Sequence, residues 1–205
     1  MKILVIDIGG SSVKVLATGH TERVKIPSGR KMTPRKMIAA VKKAVADWEY
    51  QAVSIGYPGF VFGGRIICEP TNLGKGWVGH DFTGAFDRRV RIINDAAMQA
   101  LGSYEGGRML FLGLGTGLGS AMVIDGVPEG MEIAHLIYKK RKTYEDFVGV
   151  RALRRLGRKK WSANVLEVAD QLSTAFDADH IVLGGGNAAL LRKLPKLYGD
   201  RKSVV

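Results

Sequence analysis

Cysteine is almost missing from this chain. Cys68 is the one example in 205 residues, so neither an intrachain disulfide nor a cysteine-based zinc site can be assembled. Histidine is sparse too: His20, His80, His135 and His180 are scattered, and none belongs to a His-Glu-x-x-His array, so no structural zinc is expected. No apolar run approaches the roughly 18 residues a membrane helix needs. The opening Lys2-Ile-Leu-Val-Ile-Asp7 lacks the long apolar stretch and small-residue cleavage site of a secretory signal. A cytoplasmic protein with no membrane partner is the expectation. Acidic residues are also short, 19 against 31 Lys plus Arg, for a formal net charge of +12. The excess concentrates in Lys139-Lys-Arg-Lys142, in Arg151, Arg154, Arg155, Arg158, Lys159 and Lys160, and in Arg192, Lys193, Lys196, Arg201 and Lys202. Such charge favours polyanions, without separating a phosphate polymer from nucleic acid or from a plain solvated surface. No nucleic-acid reading motif or aromatic platform accompanies it, so no specific nucleic-acid partner is expected.

Glycine is what the chain has in excess, 27 of 205 residues, where roughly 7 % is usual. Three glycine-rich turns each follow a run of β-formers: Asp7-Ile-Gly-Gly-Ser-Ser-Val-Lys14, Gly113-Leu-Gly-Thr-Gly-Leu-Gly119 and Gly184-Gly-Gly-Asn-Ala188. Backbone N–H groups can converge on an anion at such turns, where a side chain would block them. Around the first two turns the pattern is strand, turn, strand, a weak internal duplication. Thr33-Pro34 starts a helix with Met37, Ile38, Val41, Ala44, Val45 and Trp48 at helical spacing. Gly63-Gly64 and Asp125-Gly126 read as hairpin tips. Helices are predicted over 96–104, 144–156, 163–176 and 188–194, and two domains over 1–98 and 99–205, with the last helix free to return to the first.

The candidate chemistry follows from these positions. Asp7 ends an apolar strand, and a carboxylate beside a phosphate is best used to hold Mg2+, directly or through water. Gly9, Gly10, Ser11, Ser12 and Lys14 offer N–H, hydroxyl and ammonium donors to phosphate oxygens, as do Gly115, Thr116, Gly117, Gly184, Gly185 and Gly186. The second turn looks like a dinucleotide fingerprint but precedes a strand, not a long helix, so a phosphate-cradling hairpin fits better. Asn94-Asp95 follows a strand and opens a helix. Asp95 is placed to accept the proton of an attacking hydroxyl, or more blandly to cap that helix.

Together, Asp7 to Lys14, Asn94-Asp-Ala-Ala97, Leu112 to Gly119, Glu132-Ile-Ala-His135 and Leu183-Gly-Gly-Gly186 resemble the ROK family of sugar kinases, within the actin-like/hexokinase superfamily. Gly56-Tyr-Pro-Gly-Phe60, Pro70-Thr-Asn-Leu73 and Trp77 are most similar to its polyphosphate glucokinase branch. The resemblance implies an α/β fold of two RNase H-like lobes with mixed sheets around a central cleft. It implies phosphoryl transfer from polyphosphate or ATP to the 6-hydroxyl of glucose, with Asp95 as general base. Asn72, Asn94, Asp95, Glu132, His135 and Glu145 match its sugar-binding positions. A homodimer is implied as well. The family's cysteine-rich zinc motif is absent, and Ala134 replaces the glycine of Glu-x-Gly-His. Arg151, Arg154, Arg155, Arg158, Lys159 and Lys160 are expected to form a polyphosphate track, Arg151/Arg155 and Arg154/Arg158 each sharing a helical stripe.

Overall fold

Of the 205 residues, the computed structural model describes 1–191 and the strand 202–204. The chain divides into two compact units, Met1–Asp95 and Ala96–Val205.

In the first unit, alternation decides the sheet. β1 (Ile3–Ile8) turns Leu4, Ile6 and Ile8 into the core, and β2 (Ser12–Ala17) does the same with Val13, Val15 and Ala17. β3 (Val24–Pro27) completes an antiparallel meander with them. α1 (Pro34–Ala44) begins where Thr33 Oγ1 accepts the Lys36 N–H at 3.4 Å, and Pro34 occupies the first turn, where its missing donor costs nothing. Its buried Met37, Ile38 and Val41 pack on the sheet as the chain crosses to β4 (Ala52–Tyr57), parallel to β1. A small hairpin of β5 (Val61–Phe62) and β6 (Arg65–Ile66) follows. Its tip residues Gly63 and Gly64 have φ of 56° and 76°, the left-handed pair a two-residue turn needs. α2 (Phe82–Phe86) is capped by the Asp81 carboxylate, which accepts the Gly84 N–H at 2.8 Å. β7 (Arg89–Asn94) then adds parallel to β4, giving the order β3-β2-β1-β4-β7. Trp77 is fully buried and donates its indole N–H to the Gly74 carbonyl at 2.7 Å.

α3 (Asp95–Gly102) leads into the second unit. β8 (Arg108–Leu114), β9 (Leu118–Ile124) and β10 (Val127–Met131) form another antiparallel meander, with Asp125-Gly126 as the tip between the last two. A 3-10 turn (Ile133–His135) and a short hairpin of β11 (Ile137–Lys139) and β12 (Lys142–Thr143) precede α4 (Glu145–Val148) and α5 (Val150–Ala175). β13 (His180–Gly184) lies parallel to β8, a 3-10 turn (Ala188–Leu190) follows, and β14 (Lys202–Val204) lies parallel to β13. The order β10-β9-β8-β13-β14 repeats that of the first unit. Period-2 alternation covers this sheet on both faces. Met109 and Phe111 pack with Ala96, Ala97 and Ala100 of α3, while Leu110 and Leu112 pack with Trp161, Val165 and Val168 of α5.

Two helix predictions need correction. The gap expected at 157–162 is a single break inside α5, where Gly157 takes φ 74° and ψ 162°. The helix expected over 188–194 is one 3-10 turn at Ala188–Leu190; its remaining residues, the basic positions Arg192, Lys193, Lys196 and Arg201, and the anticipated return of a last helix lie outside the described residues. Among the described residues, no helix is long and apolar enough to cross a membrane.

Candidate active site

The first turn closes between strands whose register places Asp7 opposite Lys14. Their side chains meet there: the Lys14 ammonium donates to Asp7 Oδ2 at 2.9 Å, with side-chain exposures of 41 % and 18 %. The sequence had given the two residues separate phosphate and metal roles, and the structure makes them an ion pair. The turn is tied from below, since Gly9 N–H donates to the Ser12 carbonyl at 3.0 Å and Ser28 Oγ to the Gly9 carbonyl at 2.6 Å. Ser28 N–H also holds the Ser11 carbonyl at 3.2 Å. Ser11 is exposed and Ser12 buried. Asn72 rests on Gly10 so closely that a Cβ there would stand 3.1 Å from the Asn72 Cβ.

At the same end of the sheet, Asn94 finishes β7 and Asp95 opens α3. Asn94 Nδ2 donates to the Gly59 carbonyl at 3.2 Å, linking the strand end to the loop after β4. β4 pairs Gly56 with Asp7 on one side and Ile93 on the other, so Asp7 and Asn94 occupy the carboxyl ends of parallel strands two positions apart. Ligand contacts in α/β sheets concentrate at such ends.

In the second unit, Gly113 pairs with Gly119 on β9 and with Gly184 on β13, which sets the second and third turns side by side. Asn187 joins them: its Nδ2 donates to the Gly115 carbonyl at 3.0 Å and its N–H to the Leu114 carbonyl at 2.9 Å. Gly185, at φ 86°, lies against the Leu114 backbone, where a Cβ would come within 2.7 Å. Gly184 is glycine for packing, because the Phe111 ring fills the space a Cβ would take, whereas Gly115 and Gly186 face open space. Thr116 is exposed, and its carbonyl accepts the Val150 N–H at 3.2 Å.

Glu145 is brought to the second turn by a reciprocal cap. The Asp146 carboxylate accepts the Thr143 N–H at 2.9 Å while Thr143 Oγ1 accepts the Asp146 N–H at 3.4 Å, fixing the start of α4. The Thr143 N–H holds the Asp146 carboxyl below the ordinary carboxylate range. The Glu145 carboxylate then lies over Gly117, on the spot a Cβ would occupy. Glu132 and His135 come together separately, His135 Nε2 lying 3.9 Å from Glu132 Oε2 across the 3-10 turn, both exposed and carried by buried Ile133 and Ala134.

The basic track is only partly as expected. Arg151, Arg154, Lys159 and Lys160 are exposed, but Arg155 Nη2 donates to the Asp146 carbonyl at 2.7 Å and Arg158 Nε to the Leu190 carbonyl at 2.6 Å. Gly157 lies between Arg154 and Arg158, so the stripe assigned to that pair is interrupted. Ser28 and Asn187 were missed as supports of the turns. A serine just past the third strand carries no sequence signal, whereas the asparagine directly after three glycines does.

Among the described residues, no group of three or more His, Cys, Asp and Glu side chains could hold a metal ion. At the first turn the Asp7 carboxylate pairs with the Lys14 ammonium; Mg2+ generally binds through one or two carboxylates plus substrate phosphates and retained water.

The ROK family model matches residues 3–136, and the chain belongs to the ROK family. Its α/β fold with mixed sheets is that of the family's sugar kinases, within the actin-like/hexokinase superfamily. Polyphosphate glucokinase of Mycobacterium tuberculosis strain H37Rv is 28 % identical over 222 residues, covering 98 % of this chain and 83 % of that protein. An inorganic polyphosphate/ATP-glucomannokinase from Arthrobacter sp. strain KM superposes with a TM-score of 0.80 at 24 % identity, covering 100 % of this chain and 91 % of the other. A ROK family glucokinase from Streptomyces griseus, solved with glucose and AMPPNP, gives 0.73 at 16 % identity over 100 % of this chain and 94 % of the other.

Proposed function

We propose that this protein transfers the terminal phosphoryl group of inorganic polyphosphate, and less efficiently that of ATP, to the 6-hydroxyl of glucose. One observation carries the reading: an ion-paired carboxylate, Asp7, and the Asn94-Asp95 pair stand at the same carboxyl end of parallel strands. The donor assignment draws on the net charge of +12 and on the likeness to polyphosphate-using relatives.

Asp95 accepts the O6 proton as the bond from O6 to phosphorus forms and the donor's bridging P–O bond breaks. Asn94, Asn72, Glu132, His135 and Glu145 hold the sugar hydroxyls. Thr116 and the N–H of Gly186 receive phosphate oxygens, with Gly10 and Ser11 doing so at the first turn, while the N–H groups of Gly115 and Gly9 are already held by the Gly117 and Ser12 carbonyls. Asp7 would hold Mg2+ delivered with the donor, and the metal, when bound, neutralises phosphate charge. Lys14 keeps the Asp7 carboxylate aimed until then.

Asp95→Asn should lower kcat by about 10²–10⁴-fold while changing glucose affinity little. Near-normal turnover in that variant would assign the base elsewhere. Mannose is a second acceptor to measure, since the Arthrobacter relative is a glucomannokinase. Absence of phosphorylation with either donor, glucose binding being retained, would instead make this a sugar-binding protein of the same fold.

A further inference from the structure

The hairpin of β11 and β12 carries the densest charge of the described residues. Lys139 and Lys142 pair across it, and the two loop residues between them are Lys140 and Arg141. Like charges set directly opposite each other repel, and this hairpin sets four cations within four positions. The two flanking lysines are compensated: the Lys139 ammonium pairs with Glu167 of α5 and lies 4.9 Å from the Tyr138 ring centroid, and Lys142 interacts electrostatically with Asp146. Lys140 and Arg141 are exposed and make no ion pair among the described residues.

The backbone adds an independent observation. Lys140 and Arg141 adopt φ of 50° and 58°, the left-handed pair of a two-residue hairpin turn. Asn-Gly or Asp-Gly is strongly preferred there, because long side chains resist that conformation. The same chain uses Gly63-Gly64 and Asp125-Gly126 at its other tight hairpins. Local preference is therefore set aside at the one tip where the side chains are cationic.

The base of the hairpin is fixed. Tyr144 N–H donates to the Leu136 carbonyl at 3.1 Å, Tyr138 stacks on Tyr144 with ring centroids 4.6 Å apart, and Thr143 belongs to the cap that places Glu145 over Gly117. The tip is thus a cationic arm whose base is anchored on the segment that supports the second glycine turn. By contrast, two arginines of the α5 track are engaged by backbone carbonyls.

We propose that Lys140 and Arg141 form a polyphosphate contact outside the transfer site, engaging donor chains too long for the glycine turns to hold alone. This deepens the donor reading above and rests on it. The test replaces the tip with what the backbone prefers, Lys140→Asn with Arg141→Gly, which removes both charges and should keep or raise the melting temperature. Binding of long-chain polyphosphate and of tripolyphosphate is measured directly by calorimetry at several salt concentrations, alongside kcat/KM with each and with ATP. Long-chain affinity is expected to fall about 3–10-fold at ~0.1 M salt, and the slope of log K against log salt to flatten by about 1–2. Tripolyphosphate binding, ATP turnover and glucose KM should not change. Unchanged long-chain binding, an equal loss for tripolyphosphate, or loss of duplex DNA binding alone would overturn the proposal. So would a wild-type protein that binds no polyphosphate. A wild type that binds long chains through this tip yet never uses them would sink the donor reading while upholding the contact.

Discussion

The two sheets share one strand order and differ at one register position. In the first, the pair before the last of the leading hairpin is Asp7 opposite Lys14; in the second, it is Gly113 opposite Gly119. One turn is thereby given an ion pair, the other bare backbone. Their supports differ accordingly. The first turn is held by the Ser28 hydroxyl and pressed by Asn72, whereas the second is fused to a third turn through Asn187 and roofed by Glu145. A duplicated topology thus carries an ion pair within the strands of one turn, and in the other a glycine pair with a carboxylate brought over it from α4. The cores differ too. Apolar packing on the first sheet within its own unit lies on one face, and on the second it lies on both.

The comparison breaks first, and most visibly, in the cores. Trp77 and Trp161 are each fully buried, and each donates an indole N–H to a carbonyl at 2.7 Å. Trp77→Ala and Trp161→Ala should each cost about 3–5 kcal/mol in urea denaturation. A loss below about 1 kcal/mol at either would mean that the two units are not anchored alike. Next come the glycines of the third turn. Gly185→Ala should cost about 2–3 kcal/mol, since it adds a Cβ at positive φ against the Leu114 backbone, while Gly186→Ala should change stability by less than about 1 kcal/mol. Equal costs would remove the distinction between packing glycines and open ones.

The Asp7–Lys14 pair should register less in stability. A double-mutant cycle with Asp7→Asn and Lys14→Met is expected to give a coupling of about 0.5–1 kcal/mol, because Lys14 is substantially exposed. A much larger loss of kcat than this coupling explains would show that the charged turn serves chemistry, and a proportionate loss would make it structural. The smallest effect concerns Asp146. Its folded-state pKa is depressed, so the stability it lends is present above its unfolded pKa and lost as pH falls through the lower folded value. In carboxyl NMR titrations, Thr143→Val, which removes Oγ1 but keeps the backbone N–H, should move the Asp146 midpoint up only part of the way toward the ordinary value near ~4. An unmoved midpoint would mean that the Thr143 hydroxyl contributes nothing beyond the backbone N–H to holding Asp146.

What was legible in the sequence was whatever one short segment decides alone. Gly63-Gly64 and Asp125-Gly126 announce left-handed turns, and Thr33-Pro34 announces a helix start, because the physics is local to two residues. The hairpin tip at Lys140-Arg141 was invisible for the converse reason: neither residue favours the conformation the fold imposes. The family's motifs marked the candidate residues, yet three partnerships joined distant residues and had no local signature. These are Asn187 with Gly115, Asn72 with Gly10, and Glu145 with Gly117. The Asp7–Lys14 pair was nearer to hand, since a four-residue turn between alternating strands fixes which residues face each other. The shared stripe expected for Arg154 and Arg158 is interrupted at Gly157 because helical spacing assumes an unbroken helix.

The position of the fifth strand gives the two sheets different histories on a ribosome. The first sheet has all its strands once residue 94 has been made, with β7 following β4 after residues 58–88. The second has β13 only at residues 180–184 and β14 at 202–204, so its parallel pairs wait on chain synthesised long after β8. Vectorial synthesis therefore lets the charged turn mature while β8, β9 and β10 exist as a meander with an open edge. During that interval the exposed side of β8 is a template for the wrong strand. Slow translation after residue 131 would prolong the interval, and aggregation of nascent chains truncated between residues 131 and 180 should exceed that of chains stopped at residue 95.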